Sequence, residues 1–82
     1  MNSIKVLFFA TLRQRAGMKS LEMEIPDDMN VHGLRDKLSH EYPDLRQSLE
    51  TVVVAINREF AFDDAVIPAN GEVALFPPVS GG

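Results

Sequence analysis

Cysteine is absent from this chain of 82 residues. A chain without cysteine cannot form disulfides, cannot use a thiolate as a nucleophile and cannot bind a metal through sulfur. Functions that depend on disulfides, on a cysteine nucleophile or on a cysteine-ligated metal are therefore excluded.

Long apolar runs are also missing. No stretch of the sequence approaches the roughly 20 apolar residues that a helix needs to cross a bilayer. The N-terminal residues lack a basic stretch followed by a small-residue cleavage site. We therefore expect a protein of the cytoplasm that does not bind membranes.

Basic residues are the minority among the charged ones. Lysine and arginine number 8 against 12 aspartate and glutamate residues, for a net charge of −4. Nucleic acids select basic surfaces, so this balance argues against a nucleic-acid partner. It favours a basic or an apolar protein partner.

Residue sets that carry catalysis or bind cofactors are equally scarce. Neither G-x-x-x-x-G-K-[ST] nor G-x-G-x-x-G occurs, so no nucleotide site is indicated. His32 and His40 are eight residues apart in a predicted helix. We expect no Asp or Glu at a ligand-like offset on the face that they share, so the two histidines do not predict a metal site. Ser80 has no supporting histidine and acid, so partner proteins must supply any catalysis.

What is present is an ordinary globular composition, with 45% apolar and 24% charged residues. The length allows one domain. Ile4–Ala10 is an apolar stretch rich in strand formers, which predicts a strand. If Lys5 faces water, alternation places Ile4, Val6 and Phe8 in the core and Leu7 and Phe9 on the outer face. Residues 13–19 are predicted to form a loop.

The rest of the chain predicts one helix and four more strands. Alternating apolar and acidic residues predict a half-exposed strand over Leu21–Ile25. Asn30 is a good N-cap for a helix that stops near Tyr42, before a proline. The remaining predicted strands are Thr51–Asn57, Phe60–Phe62 and Glu72–Phe76. This order predicts an α+β fold in which a mixed sheet packs on one main helix.

Two exposed aromatic residues are predicted on the outer face of the sheet. If Glu72 faces solvent, Ala74 and Phe76 point away from the core, as Leu7 and Phe9 do in the first strand. Should the two strands be neighbours, these four side chains form an apolar patch, which typically marks an interaction site. The alternative is that a second layer or a loop covers the rings, or that a bulge reverses the alternation.

The C-terminal residues predict a projecting arm. Pro77 and Pro78 favour extended backbone. The five residues that follow Pro77 reach about 16 Å at roughly 3.3 Å each. Gly81 and Gly82 can enter a slot that admits only backbone. We expect the Gly82 carboxylate to be the reacting group; the alternative is an inert flexible tail.

The ending Glu72–Gly82, taken with the opening Ile4–Ala10 and Arg13, resembles the MoaD family, the small subunits of molybdopterin synthase. Residues at both ends carry the resemblance, which extends along the whole chain. It implies a ubiquitin-like β-grasp fold with the first and last strands parallel. The domain would span residues 1–77, and residues 78–82 would form an extended, flexible diglycine tail. Leu75 departs from the family pattern, since many relatives have a second aromatic residue there.

The resemblance also implies a function. A MoeB-like enzyme would use ATP to adenylate Gly82, and a sulfur donor protein would supply the sulfur that converts the carboxylate to a thiocarboxylate. The sulfur would pass to cyclic pyranopterin monophosphate in the MoaE-like large subunit, within a heterotetramer. The small subunit would be no enzyme on its own, would bind no cofactor directly, and would carry the sulfur on its C-terminus, as the absence of cysteine requires.

The residue pattern and the resemblance together give the predicted site residues. The transfer end is Gly81 and Gly82. The partner-binding residues are Leu7, Phe9, Arg13, Ala74, Phe76, Pro77, Pro78, Val79 and Ser80. Three alternatives stay open: a ThiS-like sulfur carrier for thiazole synthesis, a ubiquitin-like protein modifier, and a binding module with an inert tail.

Overall fold

The computed structural model of the protein describes residues 1–78. The strands are β1 (Asn2–Phe8), β2 (Ser20–Ile25), β3 (Val53–Ile56), β4 (Glu59–Ala61) and β5 (Glu72–Phe76). The helices are α1 (Thr11–Ala16), α2 (Val31–Glu41) and α3 (Arg46–Leu49), and a 3-10 turn (Pro43–Leu45) precedes α3.

The five strands form one mixed sheet in the order β2-β1-β5-β3-β4. β1 and β5 are parallel, with Val6 opposite Val73, and the other pairs are antiparallel. The first and last strands are therefore neighbours in the centre of the sheet, as predicted.

The core lies between the inner face of the sheet and α2. Val6 and Phe8 of β1 are buried, and Leu34 and Leu38 face them from the helix side. The Asn30 side chain accepts a hydrogen bond from the Gly33 N–H at 2.8 Å and so caps α2, which ends before Pro43 as predicted. This two-layer α+β arrangement is a β-grasp fold.

The prediction of a loop over residues 13–19 is wrong in its first half. α1 occupies Thr11–Ala16, and Gly17 ends it with φ 72°, its N–H donating to the Arg13 carbonyl at 3.0 Å. The helix has less than two turns and only one fully buried side chain, Leu12. Such a segment is too short to show a helical period in the sequence.

A second helical segment was not predicted. It comprises the 3-10 turn and α3, and it closes one end of the core with Leu45 and Leu49, both nearly inaccessible. Two buried leucines four residues apart fit a single helical turn, but one turn does not separate a helix from a loop in the sequence.

No helix within residues 1–78 is both long enough and apolar enough to cross a membrane.

Candidate docking surface and tail base

Strand register places a row of apolar side chains across the outer face of the sheet. Leu7 of β1 lies opposite Ala74 of β5, which lies opposite Ala55 of β3, which in turn lies opposite Phe60 of β4. Because directly opposed residues in a sheet share a face, the four side chains form one continuous line. The predicted juxtaposition of Leu7 and Ala74 is thus present.

Phe9 and Phe76 form a second contact beside this row. Their rings stack with centroids 4.6 Å apart and planes 14° from parallel. The Phe9 N–H donates to the Leu75 carbonyl at 3.2 Å, which continues the β1/β5 pairing one residue past the end of β1. Each ring is half-buried, and the covering comes at least in part from the other ring.

The two features border one open cavity of about 520 Å³ on the outer face. Its lining residues are Leu7, Phe9, Ala55, Arg58, Phe60, Glu72, Ala74 and Phe76. We call this set the sheet-face patch. It contains the four apolar residues that strand alternation predicts to face outward. We expect a partner to bind there.

Ala74 faces outward but retains only 9% of its accessible surface. The reason is its central position, since Leu7 and Ala55 flank it on both neighbouring strands. It therefore forms the floor of the patch, and the larger side chains around it form the walls.

The predicted site residues lack four members of the patch, namely Ala55, Arg58, Phe60 and Glu72. Phe60 is 78% exposed, and Arg58 lies in the turn that connects β3 to β4. The available signal was alternation across the hairpin: once Val54 is assigned inward, Ala55 and its partner Phe60 must face outward.

The base of the tail lies beside a different surface. Pro77 and Pro78 line a groove of about 460 Å³. The other lining residues come from α1, with Thr11, Leu12, Gln14 and Arg15, and from the α3 end, with Ser48 and Thr51. We call this the tail-base groove. The chain thus leaves β5 between two helical segments that the sequence did not predict.

One further predicted site residue, Arg13, is not part of the patch. Arg13 is exposed on α1 and lines neither the sheet-face patch nor the tail-base groove. Val79, Ser80, Gly81 and Gly82 lie outside the described residues. Their assigned roles, like those of the patch residues, stay predictions.

The expectation that no carboxylate shares a face with the two histidines is wrong. Asp36 lies four residues from each histidine on α2, and His32 Nε2 is 3.7 Å from Asp36 Oδ2. The His40 ring instead lies 2.9 Å, through Nδ1, from the Asp36 backbone carbonyl oxygen. No group of three or more candidate ligands for a metal ion occurs within residues 1–78.

The ThiS family model matches residues 6–82, which is almost the whole chain. The chain belongs to the ThiS family. Two curated relatives are named molybdopterin synthase sulfur carrier subunit. The one from Dictyostelium discoideum is 37% identical over 84 residues, covering 99% of this chain and 98% of the relative. The one from Arabidopsis thaliana is 35% identical over 79 residues, covering 96% and 82%.

Solved structures show the same architecture as this ThiS-family chain. SAMP1 from Haloferax volcanii has a TM-score of 0.84 and 30% identity, covering 99% of this chain and all of that one. A chain in the complex of subunits 1 and 2 of molybdopterin-converting factor from Helicobacter pylori has a TM-score of 0.71 and 22% identity, covering 98% of this chain and 99% of that one. A ubiquitin from Caldiarchaeum subterraneum aligns with a TM-score of 0.65 and 16% identity, covering 99% of this chain and 98% of that one, which agrees with a ubiquitin-like β-grasp fold.

Proposed function

We propose that this protein is the sulfur carrier subunit of a molybdopterin synthase and that the carboxylate of Gly82 carries the sulfur. The observation that supports the proposal is the 35–37% identity, over nearly the whole chain, to subunits with that name. The sheet-face patch beside the last strand supplies the docking surface that such a subunit needs.

The proposed chemistry begins with activation of the terminal carboxylate. One carboxylate oxygen of Gly82 attacks the α-phosphorus of ATP and displaces pyrophosphate, which leaves an acyl adenylate. Sulfur donated at the oxidation level of sulfide then attacks the acyl carbon and AMP departs, so that a thiocarboxylate replaces the carboxylate. The thiocarboxylate sulfur displaces an oxygen substituent from a carbon of the pterin precursor, which forms a thioester. Water hydrolyses that thioester, which restores the Gly82 carboxylate and leaves the sulfur on the product as a thiol.

Partners would supply the catalytic groups for all of these steps. A MoeB-like enzyme would bind the ATP, a sulfur donor protein would provide the sulfur, and a large subunit would hold cyclic pyranopterin monophosphate. The small subunit would bind no cofactor itself and would act by presenting its C-terminus. A two-subunit assembly is supported by the Helicobacter pylori structure, which is a complex of subunits 1 and 2 of molybdopterin-converting factor.

Each part of the chain has a role in this proposal. The sheet-face patch would bind the large subunit, with Phe9 and Phe76 as anchors, because two large apolar rings can contribute most of an interface's binding energy. Arg13 and the segment from Pro77 to Ser80 would guide the tail, and Gly81 and Gly82 would enter the partner's slot. Residues 1–77 would form the domain and residues 78–82 the arm, and the assembly would operate in the cytoplasm.

Intact mass spectrometry of the protein from its native cells tests the proposal. We expect a fraction of the molecules to have one terminal oxygen replaced by sulfur. Complete absence of that species in cells that contain the activating enzyme would contradict the proposal. Deletion of Gly82 provides the matched control: sulfur transfer should be lost while the fold and the complex with the large subunit are retained. Retained transfer would show that the Gly82 carboxylate is not the carrier.

A second candidate function is modification of other proteins through an isopeptide bond from Gly82 to lysine. The observation that favours it is the similarity to SAMP1, a small archaeal modifier protein. Tryptic peptides that carry a C-terminal remnant of this chain on lysine would support it. A ThiS-like role in thiazole synthesis would instead be indicated if a thiazole-forming enzyme, and not a molybdopterin synthase large subunit, binds the sheet-face patch.

A further inference from the structure

The turn between β3 and β4 holds an arginine in a backbone conformation that suits glycine. Ile56 and Glu59 form the last pair of the hairpin, and the two residues between them, Asn57 and Arg58, have φ 50° and φ 73°. Two-residue hairpin turns with both φ values positive strongly prefer Asn-Gly or Asp-Gly. Asn57 fits this preference, whereas Arg58 has a Cβ atom that disfavours left-handed backbone.

Within residues 1–78, no hydrogen bond or ion pair of the Arg58 side chain offsets the cost of this backbone conformation. Asn57 ties the turn to β5, because its Oδ1 accepts the Glu72 N–H at 2.9 Å and its own N–H donates to the Glu72 carbonyl at 2.8 Å. Among residues 1–78, none of the ion pairs and none of the side-chain hydrogen bonds includes Arg58. A strained backbone conformation that no structural contact compensates is a reason to look for a function.

The location of Arg58 indicates what that function is. It is exposed and lines the sheet-face patch, where it is the only lysine or arginine. The one acidic member of the patch, Glu72, lies opposite Lys5 in the β1/β5 register, and no ion pair within residues 1–78 joins Glu72 to Arg58. Arg58 therefore presents an uncommitted positive charge at the rim of an apolar surface, on a chain whose net charge is −4.

We propose that Arg58 determines partner specificity by pairing with an Asp or Glu side chain of the large subunit. That carboxylate would lie at the edge of the apolar pocket that receives Phe9, Phe60 and Phe76. A guanidinium group donates two parallel hydrogen bonds to a carboxylate, so it defines orientation as well as contributing attraction. The inference rests on the proposed function and adds the chemistry of the partner's surface.

The test compares variants of the full-length chain for thermal stability and for binding to the purified large subunit at low and high salt. For Arg58→Gly we expect a melting temperature equal to or higher than that of the unsubstituted protein, together with roughly tenfold weaker binding. Arg58→Lys keeps the charge and should bind closer to the unsubstituted protein. Arg58→Glu should bind weakest, and its defect should shrink at high salt. Arg46→Ala, an exposed arginine on α3 away from the patch, should bind normally.

Three outcomes would overturn the inference. Unchanged binding by Arg58→Gly, in an assay where Phe76→Ala binds weakly, would remove Arg58 from the interface and leave the proposed function intact. If Arg58→Lys and Arg58→Gly weaken binding to the large subunit equally at both salt concentrations, the positive charge at position 58 does not pair with a carboxylate of the partner. If the unsubstituted protein fails to bind any molybdopterin synthase large subunit, the proposed function fails and the inference fails with it.

Discussion

At the scale of single residues, Gly71 shows how tightly the chain is packed where it enters β5. A Cβ atom on Gly71 would lie 2.9 Å from the Pro68 carbonyl oxygen, a backbone atom that cannot move away cheaply. The turn also holds the Gly71 N–H against that same carbonyl at 3.0 Å. Glycine is thus required here because it lacks a Cβ atom; its backbone freedom is not needed, since Gly71 does not have a positive φ.

We expect Gly71→Ala to lower the free energy of unfolding by about 1–3 kcal/mol, because overpacking must be relieved by backbone movement. Urea denaturation measures this. Gly33→Ala in α2 is the matched control. Its Cβ would meet the Met29 side chain at 3.2 Å. Since that side chain can rotate, the helix should gain up to about 1 kcal/mol. If Gly71→Ala and Gly33→Ala lower the free energy of unfolding by the same amount, the close backbone approach at Gly71 is not the cause.

At the scale of elements, α1 illustrates where sequence patterns lose their predictive value. The strands β2 and β5 and the helix α2 were predicted nearly to the residue, because each has several side chains in the alternation or period of its own structure. α1 has Leu12 alone as its fully buried side chain, and its adjacent Gly17 suggested a loop. A helix of this length is stabilised by packing on the rest of the molecule more than by its own hydrogen bonds.

Leu12→Ala should therefore lower the free energy of unfolding by about 2–5 kcal/mol, as expected for a leucine truncated in a closed core. Leu21→Ala on β2 is a suitable comparison. Leu21 is only half-buried, so its truncation should lower the free energy of unfolding by less. Denaturant melts of both variants decide the matter. If the two losses are equal, burial of Leu12 is not what holds α1 on the rest of the molecule.

At the scale of the whole molecule, the important property is that two surfaces meet at the end of β5. The sheet-face patch includes Phe76, and the tail-base groove begins at Pro77, the next residue. A partner bound to the patch would therefore lie beside the base of the tail. The patch is proposed for binding more than for folding, because its rings cover each other on the face opposite the core.

Phe76→Ala should consequently weaken binding of the large subunit by more than tenfold, as loss of an anchor residue does. Its effect on stability should be modest, since a stacked aromatic pair contributes only about 0.5–1.5 kcal/mol beyond its buried area. Calorimetric titration and thermal melting of the same samples measure the two effects. Phe62→Ala is the control, because that ring is 82% exposed and lines a different cavity. If the substitution destabilises the fold by as much free energy as it removes from binding, Phe76 is a core residue.

The local pattern of the sequence by itself determined the strands, the main helix with its Asn30 cap, the outward direction of Phe9 and Phe76, and the impossibility of thiol chemistry. These properties depend on alternation, capping and composition, which neighbouring residues specify. The family resemblance, and not any local pattern, implied that β1 lies beside β5. Only the tertiary structure decided that Phe60 and Arg58 complete the patch and that α1 borders the base of the tail. Those relations join residues far apart in the chain, and no local pattern records which strands pair or which side chains they bring together.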